Sequence, residues 1–305
     1  MTRSSRDVED RLRRRLGRVG VWLTLLGTRS ADEERESLAE IEALGYSAFW
    51  FGEGPSNKEA FAHAGVLLAA TQRIIIATGI ANIYARDAAA MNAGGQTLAD
   101  AYPGRFVLGI GVSHAPMVQA RGHEYGRPLS AMREYLDATD AARYAPPAPA
   151  EPLALVLAAL RPRMLELARD RSHGAHSYLV TPRHTARARE RLGPAPLLVP
   201  EQGVVLETEP ARAREVARKH LAGYLQLPNY LNSWREEGFE DADFADGGSD
   251  RLVDALVAWG DVDAVAARVR EHLDAGADHV AVQPVISDVG RALDALRALA
   301  PALLP

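Results

Sequence analysis

Glu53 stands between Gly52 and Gly54, directly after the apolar run Tyr46 to Phe51 (YSAFWF). A carboxylate beside flexible backbone is open to a substrate or cofactor, although a Glu at a turn can equally be merely solvated. His114 lies just past the run Gly109-Ile110-Gly111. An imidazole there can act as general acid or base, or as a hydrogen-bond donor, near neutral pH; the competing reading is a structural loop histidine. Arg86 precedes Asp87 at a helix start, where a capping ion pair competes with an anion contact. His123 and Glu124 are adjacent, but neither HEXXH spacing nor a set of two histidines and a carboxylate surrounds them, so no metal site is expected. The Gly-Ile-Gly run is too short for a dinucleotide fingerprint, because no GxGxxG opens a helix there. Two glycines at a strand end can instead let backbone approach a flat ring or present N–H groups to a phosphate. The chain has no cysteine, which removes disulfides, thiolate catalysis, iron–sulfur clusters and cysteine zinc sites together.

These residues need elements to position them. Short β-branched or apolar runs alternate with longer helical patterns, the signature of βαβ units and a parallel sheet. Strands are expected over 18–25, 46–51, 73–80, 105–110, 153–158, 176–180, 197–206 and 279–283. Helices are expected over 32–44, with Ser30 as N-cap and Gly45 as stop, and over 57–70, 87–102, 129–144, 162–171, 182–192, 210–227, 262–275 and 289–299. The segment APPAPAEP (145–152) is read as an outer loop rather than a linker, since a strand begins at once. Eight strands with a closing helix fit an α/β fold of the (β/α)8 TIM-barrel type better than an open doubly wound sheet. A single domain is expected over 1–305, with an N-terminal extension (1–16) and an insertion of short helices (228–259) before the last strand unit. The arginines at 11, 13, 14 and 15 lie in a segment that also carries Asp7, Glu9 and Asp10, and an amphipathic helix over one end of the barrel is preferred to a polyanion-binding arm.

In such a barrel the strand C-termini and following loops form the site. That rule selects Trp22 and Thr24 after the first strand, Glu53 after the second, and Gly79, Ile80, Ala81, Asn82, Tyr84 and Arg86 after the third. It adds Gly109, Gly111, Ser113 and His114 after the fourth, Thr181 after the sixth, Glu201 and Gln202 in the seventh, and Gln283 after the eighth. A chain of 305 residues with 47% apolar content can bury a large core, and its net charge of -5 argues against a nucleic-acid partner. No run approaches the apolar length of a membrane span and the first residues lack a secretory apolar region, so a cytoplasmic protein is expected.

At the same strand ends the chain resembles the luciferase-like monooxygenase superfamily, especially its actinobacterial branch of deazaflavin-dependent oxidoreductases. The matching runs include GRVGVW (17–22), RIIIATGIANIYARD (73–87), AYPGRFVLGIGVSHAP (101–116), RPLSAMREYLDA (127–138), RPRMLELARDRSHGAHSYLVTP (161–182) and LPNYLNSW (227–234). The resemblance spans about residues 17–284, and the run GRFVLGIGVSHAP is its most specific part. It implies coenzyme F420 as cofactor, with FMN as the alternative, and a bulge carrying a non-prolyl cis peptide at Gly79-Ile80 that props the ring. Gly79, Ile80, Ala81 and Asn82, with Gly109, Gly111 and Ser113, would then form the ring platform. Arg161, Arg163, Ser172, His173 and Gly174 would lie near the cofactor phosphate. Relatives often have Gly-Pro where this chain has Arg161-Pro162, and the Asp-His pair and Glu of sugar-phosphate dehydrogenases are replaced here by Gly52-Glu53 and His114, so their substrate does not carry over. The implied reaction is hydride transfer between the coenzyme and a small organic substrate, with Glu53 and His114 as an acid/base or orienting pair, in a homodimer. An FMN-dependent monooxygenase and a non-catalytic binding barrel are the alternatives.

Overall fold

A computed structural model describes residues 3–304. In chain order the elements are α1 (Arg3–Leu16), β1 (Val19–Trp22), α2 (Ala31–Ala43), β2 (Ala48–Gly52), α3 (Ala60–Ala70), β3 (Ile75–Asn82), α4 (Ala88–Ala101) and β4 (Phe106–Gly111). They continue with α5 (Ala115–Gln119), α6 (Pro128–Ala141), β5 (Ala154–Ala158), α7 (Pro162–Arg171), β6 (Gly174–Ser177), α8 (Pro182–Leu192), β7 (Leu197–Leu206) and α9 (Pro210–Leu221). The last are α10 (Pro228–Glu236), α11 (Asp241–Phe244), α12 (Asp250–Leu256), β8 (Val257–Gly260), α13 (Val262–Asp274), β9 (Val280–Pro284) and α14 (Val289–Leu303).

Every strand pairing is parallel, running β1 through β7 in order, then β7 to β9 and β9 back to β1. Eight strands therefore close a TIM barrel, as the strand count anticipated. β8 is a ninth strand that sequence reading missed: Val257–Gly260 pairs with Gly203–Leu206, the outer half of the ten-residue β7. Val257 to Trp259 fall at the end of the expected helical insertion (228–259), so that insertion is not helical throughout. A four-residue strand between two helices is too short for its periodicity to be read.

The strands are buried on both faces, as all-parallel sheets require. Local chemistry agrees with the boundaries. Ser30 and Glu33 close a capping box on α2, Asp87 caps α4 by accepting the Ala90 N–H at 2.8 Å, and Pro162, Pro182 and Pro210 occupy first turns. α1 covers the N-terminal end of the barrel with Val8, Leu12 and Leu16 buried; Arg13 donates to Asp278 at 2.7 Å and to the Ala195 carbonyl at 2.7 Å, and Arg15 pairs with Glu151 at 3.0 Å. The barrel interior is aromatic. His176 lies nearly parallel to Trp22 on one side (4.9 Å, 9°) and to Trp50 on the other (5.6 Å, 12°), and Trp50 Nε1 donates to His279 Nε2 at 3.1 Å.

β6 begins at Gly174 rather than His176; Ser172 and His173 precede it and Gly174 opens it, so all three lie at the N-terminal rim, opposite the site. His173 Nδ1 accepts the Leu155 N–H at 3.0 Å, Ser172 Oγ donates to the Ala168 carbonyl at 2.8 Å, and Gly174 lies against the Leu197 carbonyl. The expectation, drawn from the resemblance, that these three meet a phosphate is corrected: residues that lead into a parallel barrel strand lie at the end opposite the C-terminal rim.

Candidate active site

A cavity at the C-terminal rim has a volume of about 750 Å³. Its walls come from the ends of β3, β4, β5 and β6, the first turn of α7, the start of α6 and the inner face of α10. Of the residues expected there, Ile80, Gly111, Ser113, His114, Arg161 and Arg163 line it. Tyr125, His176, Tyr178, Asn229, Tyr230 and Glu236 line it as well.

Glu53 does something else. Its side chain is only 3% exposed, its Oε2 accepts the Asn82 N–H at 2.8 Å and Arg86 Nη1 at 3.0 Å, and its Oε1 accepts Arg86 Nη2. Arg86 also reaches Glu59 at 2.6 Å and lies 4.9 Å from the centre of the Phe61 ring. This buried clamp joins the ends of β2 and β3 to α3, and Glu53 is not among the cavity-lining residues. The structure does not bring Glu53 and His114 together as a facing pair. Arg86 is neither a cap partner of Asp87 nor an open anion site.

The β3 end is bulged as expected, with register shifts between Thr78 and Ala81 and between Phe51 and Gly52. All peptide bonds there are trans, which corrects the expected cis bond at Gly79-Ile80. The bulge takes up the extra length by shifting register alone. A Cβ on Gly79 would come within 2.2 Å of the Trp22 ring, so Gly79 is covered by the chain's own indole. Ala81 packs outward in the core, and Asn82 is buried with its Oδ1 accepting the Tyr84 N–H at 2.9 Å. Gly109 owes its lack of side chain to β3, since a Cβ would sit 2.0 Å from the Thr78 carbonyl oxygen. Of the expected ring platform, Ile80, Gly111 and Ser113 reach the cavity.

Ser113 has φ 57, left-handed for a non-glycine residue, and its carbonyl accepts the Tyr125 hydroxyl at 3.1 Å. His114 follows, with its ring 5.6 Å from Tyr230 and its side chain interacting with Asn229. Burial lowers its pKa, partly offset by Asn229, so it is a neutral donor or acceptor at pH 7. Across the cavity, α7 starts with Arg161 at its N-cap and no side-chain cap, leaving its first turn facing the space. Arg161 is engaged by Glu236 of α10 (Nη2 to Oε1, 3.0 Å), while Arg163 is exposed on the same turn.

His176 and Tyr178 form the inner wall. His176 Nδ1 is 2.9 Å from the Val199 carbonyl, Nε2 has no hydrogen-bond partner, and burial pushes its pKa down to about 4. The Tyr178 hydroxyl donates to Gln283 Oε1 at 2.8 Å and accepts from Tyr224 at 3.2 Å. Sequence reading placed both residues in a strand without a role. Two polar rings at i and i+2 in an otherwise apolar run were the available signal, because alternate strand residues share a face.

The comparisons with known proteins complete this picture. The family model for luciferase-like monooxygenases matches residues 16–279. The chain belongs to the luciferase-like monooxygenase family. Its enzyme class is thereby that of the oxidoreductases. A Mycobacterium tuberculosis protein named as a coenzyme F420-dependent oxidoreductase is 27% identical over 121 residues, 39% of this chain. The chain spans about a third of that relative's length, 35%. The solved structures it is similar to include an F420-dependent secondary alcohol dehydrogenase with an F420-acetone adduct (TM-score 0.76, 14% identity, 95% of this chain and 99% of that one). The F420-dependent tetrahydromethanopterin reductase of Methanopyrus kandleri follows at 0.70, with 17% identity, 94% and 99% coverage. The oxygenating component of the 3,6-diketocamphane monooxygenase of Pseudomonas putida, bound to FMN, stands at 0.68, with 16% identity, 94% and 99% coverage. At these identities the likeness is one of fold, shared by deazaflavin and flavin enzymes alike. Among the described residues no helix is long and apolar enough to cross a membrane.

Proposed function

We propose that this luciferase-like protein is an oxidoreductase that binds coenzyme F420 in the cavity at the barrel mouth and acts on a small organic substrate. The observation that carries the reading is the polarity of the cavity: arginines and an uncapped helix start at one end, a neutral aromatic wall at the other. A phosphate-bearing ring cofactor has that same division, and the volume suits one. Arg163 and the first turn of α7 would hold the phosphate. Arg161 would share its guanidinium between the anion and Glu236. Ile80, Gly111, His176 and Tyr178 would bound the ring. The deazaflavin supplies a two-electron hydride carrier when bound. The neutral His114, steadied by Asn229, would orient the substrate and exchange a proton with it at one ring nitrogen, and Tyr230 of α10 would keep water from that side.

FMN is the second reading, favoured by the FMN-bound neighbour. Titrating the purified protein with oxidised and reduced F420, followed by absorbance and fluorescence, separates the two. Saturable binding of either F420 form supports the proposal. FMN identified by mass spectrometry in the protein as purified, or no binding of either F420 form, overturns it. The Arg163→Ala variant should weaken F420 binding about tenfold, the loss of roughly one charge-assisted phosphate contact. It should leave unchanged the binding of the ring-ribityl fragment that lacks the phosphate.

A further inference from the structure

The corner after β6 is over-determined. Leu179 has φ 53, a left-handed conformation that is strained for a non-glycine residue. Its N–H donates to Glu201 Oε2 at 3.1 Å, and its carbonyl accepts Trp234 Nε1 at 3.1 Å. The preceding residue, Tyr178, is the cavity wall, fixed by Gln283, by Tyr224 and by its ring contact with Trp22 at 5.2 Å. Strain held by converging partners from β7, β9 and α10 marks a conformation that the surroundings impose. Glu201 is the unusual partner. It is fully buried in β7, forms no ion pair among the described residues, and its Oε1 has no hydrogen-bond partner.

We propose that Glu201 is a positioning residue for ligand binding: as a neutral carboxylic acid it accepts the Leu179 N–H, holds that residue left-handed, and so sets Tyr178 as the wall of the cavity. The groups that face it are the Leu179 amide and, through space, the phenols of Tyr178, Tyr224 and Tyr230. All three phenols stay protonated, since burial raises their pKa values. No cation is placed to stabilise a carboxylate there, and burial pushes Glu201 up to about 8. Ionisation above that pH puts an uncompensated charge in the interior, which is relieved only by drawing water in and releasing the corner.

The test compares the full chain with Glu201→Gln, which keeps an acceptor for Leu179 but cannot ionise, and Glu201→Leu, which removes the acceptor. Tryptophan fluorescence needs no ligand, and Trp22 and Trp234 both touch the corner. The unmodified protein should show a transition with a midpoint near pH 8 that Glu201→Gln lacks. A second readout is the affinity for oxidised F420, which rests on the proposed function. It should fall about tenfold from pH 7 to pH 9 in the unmodified protein, stay level in Glu201→Gln, and be about tenfold weaker at both pH values in Glu201→Leu. The same fluorescence transition in both proteins, or its absence from the unmodified protein, overturns the proposal, as does unchanged affinity in Glu201→Leu at pH 7. If the unmodified protein binds no F420 at any pH, the proposed cofactor falls and the fluorescence transition alone decides the role of Glu201.

Discussion

Glu53 shows how one carboxylate can be read in two ways and turn out to be a third thing. With both oxygens accepting from Arg86 and one from the Asn82 amide, it has little capacity left for a substrate. Its energetic meaning lies in what its loss exposes: Arg86, only 9% exposed, would keep Glu59 but lose its buried counter-ion. Glu53→Ala is therefore expected to destabilise the protein by about 3 kcal/mol, the cost of breaking a buried pair from one side. Chemical denaturation would measure it. F420 affinity below the unfolding transition should change little, because Glu53 does not face the cavity. An affinity loss as large as that of Arg163→Ala would return Glu53 to the site.

At the scale of elements, the bulged end of β3 and its neighbour β4 share a backbone contact that tolerates no side chain. Gly109→Ala would drive a methyl to 2.0 Å from the Thr78 carbonyl oxygen, and neither strand can yield without breaking the Thr78 hydroxyl bonds to Gly109. The expected outcome is a loss of about 2 kcal/mol or more in unfolding free energy. Ser30→Ala on α2 provides the contrast. It removes the capping box at an exposed helix start and should cost about 1 kcal/mol, leaving the cavity untouched. Thermal melts of the two variants side by side check the ranking; a costlier Ser30→Ala would mean that the β3–β4 contact is softer than its geometry indicates.

For the whole molecule, burying imidazoles inside a barrel gives stability a pH dependence of known sign. Burial pushes His176 and His279 down to about 4 and His272 to about 3. Their folded values lie below the unfolded value near 6.5, so the stability they contribute is present above pH 6.5 and is lost as pH falls toward 4. Each is worth on the order of 3 kcal/mol over that window. Glu201 acts in the opposite direction. Its folded value of about 8 lies above the unfolded one, so its contribution is present below about pH 4.5 and is lost as pH rises to about 8. The unfolding free energy should therefore peak near pH 6.5, with a steep acid limb and a shallow alkaline one that Glu201→Gln flattens. A melting temperature that rises steadily from pH 6.5 to 8.5 would contradict this.

What the sequence alone determined was the periodic part: eight barrel strands, their helices, the capped start at Ser30, the amphipathic α1, and the end of the barrel that carries the site. Those follow from local pattern and from the one closure that eight βα units allow. His114, Ile80, Gly111 and Ser113 were found at the rim for that reason, and Arg161 and Arg163 through the family resemblance. Tertiary structure decided which way each side chain points and what it meets. Glu53 went to Arg86 and Gly79 to Trp22. Ser172, His173 and Gly174 lead into β6 rather than follow it, and so lie at the far rim, a placement that the strand order itself implies. The inner wall of His176 and Tyr178, and Glu201 behind it, are joined by contacts across β6, β7, β9 and α10, which no local spacing records.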